Sequence, residues 1–136
     1  PNAAPNLAGR NFAAAHETII WASKNQKSKH LFNYALMKNF DEQVDHLKNP
    51  GKQMRSVWSL NTTPTREKLL GRHPTQKPIA LLERLILAST ALGGSVLDPF
   101  TGSGTTGVAA RRTGRLFTGI ELDSAYLDLA NLRIKE

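Results

Sequence analysis

One stretch constrains the fold of this chain more than any other: Ser95-Val96-Leu97-Asp98-Pro99-Phe100-Thr101-Gly102-Ser103-Gly104-Thr105-Thr106-Gly107. Ser95, Val96 and Leu97 suit a strand. The strand runs into the carboxylate of Asp98, and Pro99 stops it. Phe100 follows, and then a loop of small residues that must open a helix. A backbone turning this tightly wants Gly, which accepts φ > 0 and leaves room for a ligand. Strand, tight loop and helix in this order predict an α/β unit with a ligand-facing turn.

Several chemistries use such a loop. Gly102, Gly104 and Gly107 satisfy G-x-G-x-x-G, the dinucleotide fingerprint, and Glu121 lies 14 residues beyond Gly107, near where a ribose-binding acid would sit. In the dinucleotide fold, however, the first Gly follows its strand directly and the pyrophosphate rests on the helix N-terminus. Here a carboxylate and three further residues intervene. A carboxylate near a diphosphate is repelled, whereas it suits a cationic ammonium. A phosphate-binding P-loop is excluded, because no Lys follows Gly104. A purely structural turn between strand and helix is the remaining alternative.

Two further segments frame this one. His73-Pro74-Thr75-Gln76-Lys77-Pro78 precedes an apolar helical run, Ile79 to Leu92. Thr75 can cap that helix. Lys77 places a cation near the helix start, against the macrodipole, which points to a ligand rather than to helix stability. Downstream, Leu116-Phe117-Thr118-Gly119-Ile120-Glu121-Leu122-Asp123 reads as a strand ending in an acid. Asp123 is placed to cap a last helix from Ser124 to Ile134.

The first segment resembles motif I of the S-adenosylmethionine-dependent amino-methyltransferases of DNA, Asp-Pro-Phe-x-Gly-Ser-Gly-Thr-Thr, with every fixed position filled. The hexapeptide is similar to motif X and the third segment to motif II. The resemblance implies S-adenosylmethionine as cofactor, held by Thr75, Lys77, Asp98, Pro99, Phe100, Gly102, Ser103, Gly104, Thr105, Thr106 and Glu121. Motif X would lie at the methionine end. Glu121 would take the two ribose hydroxyls in a bidentate contact, as a carboxylate with two acceptor oxygens can. Phe117 or Ile120 would line an apolar slot for the adenine. The implied fold is a Rossmann-like α/β methyltransferase fold in the permuted order of the β class, with a partial sheet. Residues 1–24 resemble the motif VII region, with a strand expected at Thr18 to Ala22. Residues 25–72 would be a basic region of target recognition, and residues 73–136 the cofactor-binding part.

The family also carries motif IV, an Asp, Asn or Ser followed by Pro-Pro and an aromatic. The flipped base stacks on that aromatic, and its exocyclic amine is held beside it. Prolines stand at positions 1, 5, 50, 64, 74, 78 and 99, no two adjacent, so motif IV is not within these residues. Pro1-Asn2-Ala3-Ala4-Pro5-Asn6 resembles the loop that follows motif VI. The expectation is the C-terminal portion of a larger enzyme, or one half of a split one, silent by itself. No catalytic residue is expected in this chain. A partner segment or subunit would bring motif IV, and a homodimer is a further expectation.

Charge is unevenly distributed. The net formal charge is +7, and residues 21–80 carry eleven Lys and Arg against four acids, while residues 81–136 balance at six each. A basic excess of this kind is the footprint of phosphate binding and points to double-stranded DNA as partner. Lys24, Lys27, Lys29, Lys52, Arg55 and Arg66 are the candidate contacts, and Gln53 and Asn61 join Arg55 and Arg66 in having base-reading chemistry. Leu31 to Leu47 has helical spacing and is expected to be a packed helix.

With no cysteine, disulfide and thiolate–metal chemistry are unavailable, and His16, His30, His46 and His73 show no metal-ligand spacing. No signal peptide or membrane span is visible, which predicts a cytoplasmic place. The reaction implied by the resemblance is methyl transfer to an exocyclic base nitrogen. Adenine N6 is favoured; cytosine N4, a non-catalytic cofactor- or DNA-binding subunit, and a dinucleotide oxidoreductase are the alternatives.

Overall fold

The structure, a computed structural model, describes residues 7–10, 12, 13, 15–38 and 51–136. Helix α1 covers Tyr34–Lys38, a 3-10 turn Thr65–Lys68, α2 Ile79–Ser89, strand β1 Ser95–Asp98, α3 Thr105–Arg112, β2 Leu116–Gly119 and α4 Ser124–Lys135. Strands β1 and β2 are parallel neighbours joined through α3, in the register Ser95↔Leu116 to Asp98↔Gly119. Their carboxyl ends therefore lie side by side.

The core sits between the strands and the helices. Ile79, Ile86, Val108, Ala109 and Ala110 are buried together, with Leu82, Val96, Phe117 and Ile134 packed against them. Ala109 and Ala110 bring α3 close to its neighbours because they add almost no side-chain volume. Gly107 does the same at the strand: a Cβ there would run into the Phe117 ring and Ile134. The opposite strand face is open. Leu97 and Leu116 are 64% and 65% exposed, whereas parallel sheets bury both faces. The expectation of a partial sheet agrees with this.

Helix ends rest on distant residues. Thr75 does not cap α2; its backbone N–H and hydroxyl instead meet His73 Nδ1, each at 3.3 Å. The Ile79 N–H donates to Glu67 Oε2 at 2.9 Å, because Glu67 on the 3-10 turn reaches the helix start that Pro78 leaves uncapped. The helix stops at Ser89, short of Leu92. Asn33 Nδ2 donates to the Leu87 carbonyl at 2.6 Å, and Arg115 Nη2 donates to the Thr90 carbonyl at 2.7 Å. Gly93, with φ of 72°, then reverses the chain. By contrast, Asp123 caps α4 as expected, its Oδ1 accepting from the Ala125 N–H at 2.8 Å and the Tyr126 N–H at 3.3 Å.

One expectation for the first third differs and a second is met in part. Thr18 to Ala22 form no strand: no described segment pairs with them in a ladder, and the Trp21 ring instead stands edge-on to His30 and Phe32. Of the helix expected over Leu31 to Leu47, Leu31 to Asn33 are irregular and Tyr34–Lys38 form α1, while residues 39–47 lie outside the described residues, as do residues 1–6.

Candidate cofactor site

The site is built where β1 and β2 end. In open α/β sheets, ligands bind beyond the carboxyl ends of the strands, and here two acids stand there. Asp98 closes β1 and is half-buried. Its Oδ1 accepts from the Phe100 N–H at 3.0 Å, and its Oδ2 accepts from the Thr106 hydroxyl at 2.5 Å. The acid is thus tied to both ends of the loop it opens. Pro99 and Phe100 are exposed, Phe100 at 88%, with its ring free to meet a ligand.

Glu121 follows β2 by two residues and returns to that loop. Its Oε2 accepts from the Gly102 N–H at 2.7 Å; its Oε1 accepts from the N–H groups of Leu122 at 2.9 Å and Asp123 at 3.0 Å. Hydrogen bonds from the Asp123 and Gly102 backbone hold its pKa below the ordinary carboxylate value, and nearby His73 adds a smaller effect in the same direction. A carboxylate offers about four acceptor positions, so roughly one stays open, on Oε2. A bidentate grip on two hydroxyls from this geometry needs one backbone donor to be released.

Between the acids runs the glycine loop. Thr101 N–H donates to the Ile120 carbonyl and Gly104 N–H to the Thr101 carbonyl, both at 2.9 Å. Gly104 has φ of 77°, and a Cβ on it would lie 2.8 Å from Ala130 Cα in α4, so only glycine fits. Ser103 and Thr105 are buried with their hydroxyls 3.3 Å apart. Thr106 stands at the first turn of α3, half-buried, bonded to Asp98.

The structure brings Asp98, Phe100, Gly102 to Thr106 and Glu121 into one place. Thr75 joins through His73. The His73 ring stands edge-on to Tyr126 at 4.3 Å between centroids, and its Nε2 lies 3.3 Å from where a Gly102 Cβ would be. His73 and Tyr126 therefore wall the loop, a role not expected for them; the only sequence signal was the place of His73 at the head of the hexapeptide. Lys77 is turned elsewhere, its Nζ 2.6 Å from Glu17 Oε2. Phe117 is half-buried with its ring packed against the core; Ile120 stays exposed at the strand end.

The basic candidates divide. Lys24, Lys27 and Lys29 stand exposed in and on either side of a turn at Asn25–Ser28, where the Asn25 side chain accepts from the Lys27 N–H at 3.0 Å and the Asn25 N–H donates to Ser28 Oγ at 3.2 Å. Lys52, Gln53, Arg55 and Asn61 are exposed on irregular chain. Arg66 lines a different groove of about 680 Å³, together with Arg111, Arg112 and Arg133. Among the described residues no group of three or more His, Asp or Glu could hold a metal.

Two acids and a glycine loop stand at the ends of adjacent parallel strands, as in a Rossmann-like α/β fold of the methyltransferase kind. The chain belongs to the DNA methylase family, whose sequence model matches residues 1–132. It is 52% identical over 136 residues to the type II methyltransferase M2.LlaDCHI of Lactococcus lactis subsp. cremoris, covering 99% of this chain and 48% of that protein. It is 52% identical over 135 residues to the type II methyltransferase M2.DpnII of Streptococcus pneumoniae, covering 98% of this chain and 47% of that protein. The chain thus spans about half the length of these relatives. Among solved structures, the M1.HpyAVI–SAM complex superposes with a TM-score of 0.59 at 37% identity, over 81% of this chain and 46% of that one. Family membership settles the choice left open by Gly102, Gly104 and Gly107 against a dinucleotide oxidoreductase.

Proposed function

We propose that this chain is the cofactor-binding part of an S-adenosylmethionine-dependent DNA methyltransferase acting on an exocyclic amino nitrogen, adenine N6 in preference to cytosine N4. The observation that carries the reading is the placement of Asp98 and Glu121 on either side of the Gly102–Thr106 loop, with the Gly102 N–H bonded to Glu121. The chemistry of this donor set fits the cofactor. Glu121 keeps an acceptor for a ribose hydroxyl, Asp98 supplies negative charge for an ammonium or sulfonium, and the exposed Phe100 ring and Ile120 offer apolar surface. The cofactor, when bound, supplies an electrophilic methyl group on sulfur. The chain's own residues bind and orient it, and His73 and Tyr126 close one side. Catalysis then rests on positioning the amine lone pair against that methyl.

The pocket for a flipped base needs a Pro-Pro-aromatic segment, which these residues do not contain. On this reading the 136 residues are silent without a segment or subunit that brings it, so a cofactor- and DNA-binding subunit of a split enzyme is the second reading. Double-stranded DNA is the proposed partner, met by Lys24, Lys27 and Lys29. A cytoplasmic place is proposed from the bacterial relatives.

The test is to incubate the chain with DNA and labelled S-adenosylmethionine, with and without an upstream fragment bearing Asp-Pro-Pro-Tyr. Labelled N6-methyladenine only in the complemented reaction supports the proposal. Methylation by the chain alone removes the claim of silence, and labelled N4-methylcytosine replaces the base assignment.

A further inference from the structure

The glycine loop is held from behind by a residue that no motif marks. Arg133, in the last turns of α4, is only 6% exposed. Its Nη1 donates to the Ser103 carbonyl at 2.5 Å and to Thr105 Oγ1 at 3.1 Å. One nitrogen with two hydrogens therefore spans Gly104 and ties the residues on both sides of it.

The loop needs such a tie. Gly102 and Gly104 both take positive φ, at 51° and 77°, and glycine restricts its own backbone least of all residues. Glu121 fixes the Gly102 N–H, and Asp98 fixes Thr106. Ser103 and Thr105, between those anchors, are fixed by Arg133. Burying a guanidinium is costly: desolvation lowers the Arg133 pKa, partly offset by Glu67 and Glu136. Both of its hydrogen bonds go to neutral oxygens. An apolar side chain of similar volume is often at least as stabilising in such a place, so the return on burying a charge here lies in geometry.

We infer that Arg133 is a positioning residue for the cofactor: docked on the Ser103 carbonyl and the Thr105 hydroxyl, it sets the shape in which the Gly102–Thr106 loop meets S-adenosylmethionine. The inference rests on the proposed cofactor reading of that loop.

The test compares Arg133→Met and Arg133→Lys in the full-length protein, with any motif IV partner present. Melting temperature, kcat and KM for both cofactor and DNA are measured, with Glu121→Ala as control. The expected result for Arg133→Met is a KM for S-adenosylmethionine raised about tenfold, with kcat at saturating cofactor and KM for DNA within about twofold. Arg133→Lys should recover part of the loss, since its ammonium, one bond short of the Nη1 position, still carries enough hydrogens to donate to both oxygens. An unchanged cofactor KM in Arg133→Met, or a Lys variant no better than Met, overturns the inference. If Arg133→Met does not fold, Arg133→Gln takes its place: its amide ends two bonds short of the Nη1 position, so both contacts are lost and the cofactor KM should rise about tenfold, and no rise overturns the inference. If Glu121→Ala also leaves the cofactor KM unchanged, the cofactor reading itself fails, and Arg133 falls with it.

Discussion

The Glu121 carboxylate accepts the Gly102 N–H at 2.7 Å, joining the end of β2 to the loop that follows β1. One side chain thereby shapes the loop and presents an acceptor beside it. Replacing Glu121 with Ala removes both effects. S-adenosylmethionine affinity, measured calorimetrically, should fall about tenfold or more, as expected when a charge-assisted hydrogen bond is removed. Unchanged affinity would dissociate Glu121 from the cofactor.

The same carboxylate makes a prediction about pH. Its folded-state pKa is lowered, chiefly by the Asp123 and Gly102 backbone donors. Its stabilising contribution is therefore fully present above the unfolded carboxylate pKa and is lost as pH falls through the lower, folded value. Glu121→Gln should flatten the acid limb of a melting-temperature profile and leave its slope near neutrality unchanged. An acid limb identical in both proteins would contradict this.

Gly104 combines a φ of 77° with a close approach to Ala130. Gly104→Ala should cost about 1–2 kcal/mol from the left-handed backbone alone, and more from displacing α4. Denaturant unfolding measures it, and a loss under about 0.5 kcal/mol would mean that the loop relaxes freely.

Glu67 caps α2 across the chain through the Ile79 N–H. Glu67→Ala should destabilise the fold by about 0.5–2 kcal/mol, the range for losing a helix cap. Thr75→Ala should have no such effect, because Thr75 bonds to His73 and not to the helix. Thermal melts of the two variants discriminate the caps.

Lys24, Lys27 and Lys29 stand exposed within six residues around one turn. Neutralising all three should lower the slope of log affinity for DNA against log salt by about 0.9 for each phosphate that the protein no longer neutralises. Equal slopes in filter-binding titrations would leave those lysines as solvated surface.

Local order was legible in the chain because it depends on neighbours a few residues apart. The strand stopped by Pro99, the loop of Gly102 and Gly104, the cap at Asp123 and the acids Asp98 and Glu121 follow from backbone preference and spacing along a single stretch. The family match confirms the class of protein that these segments pointed to. Contacts between distant segments were not legible. Glu67 and not Thr75 caps α2, since the 3-10 turn folds back onto it; Asn33 and Arg115 close its other end at Ser89. Phe117 went to the core because Gly107 lets α3 lie against it, and Arg133 reached the loop because α4 packs behind Gly104. Thr18 to Ala22, apolar enough for a strand, stay irregular without a ladder partner. Periodicity and turn chemistry act within a segment, whereas burial, caps between segments and strand pairing depend on which segments the tertiary structure brings together.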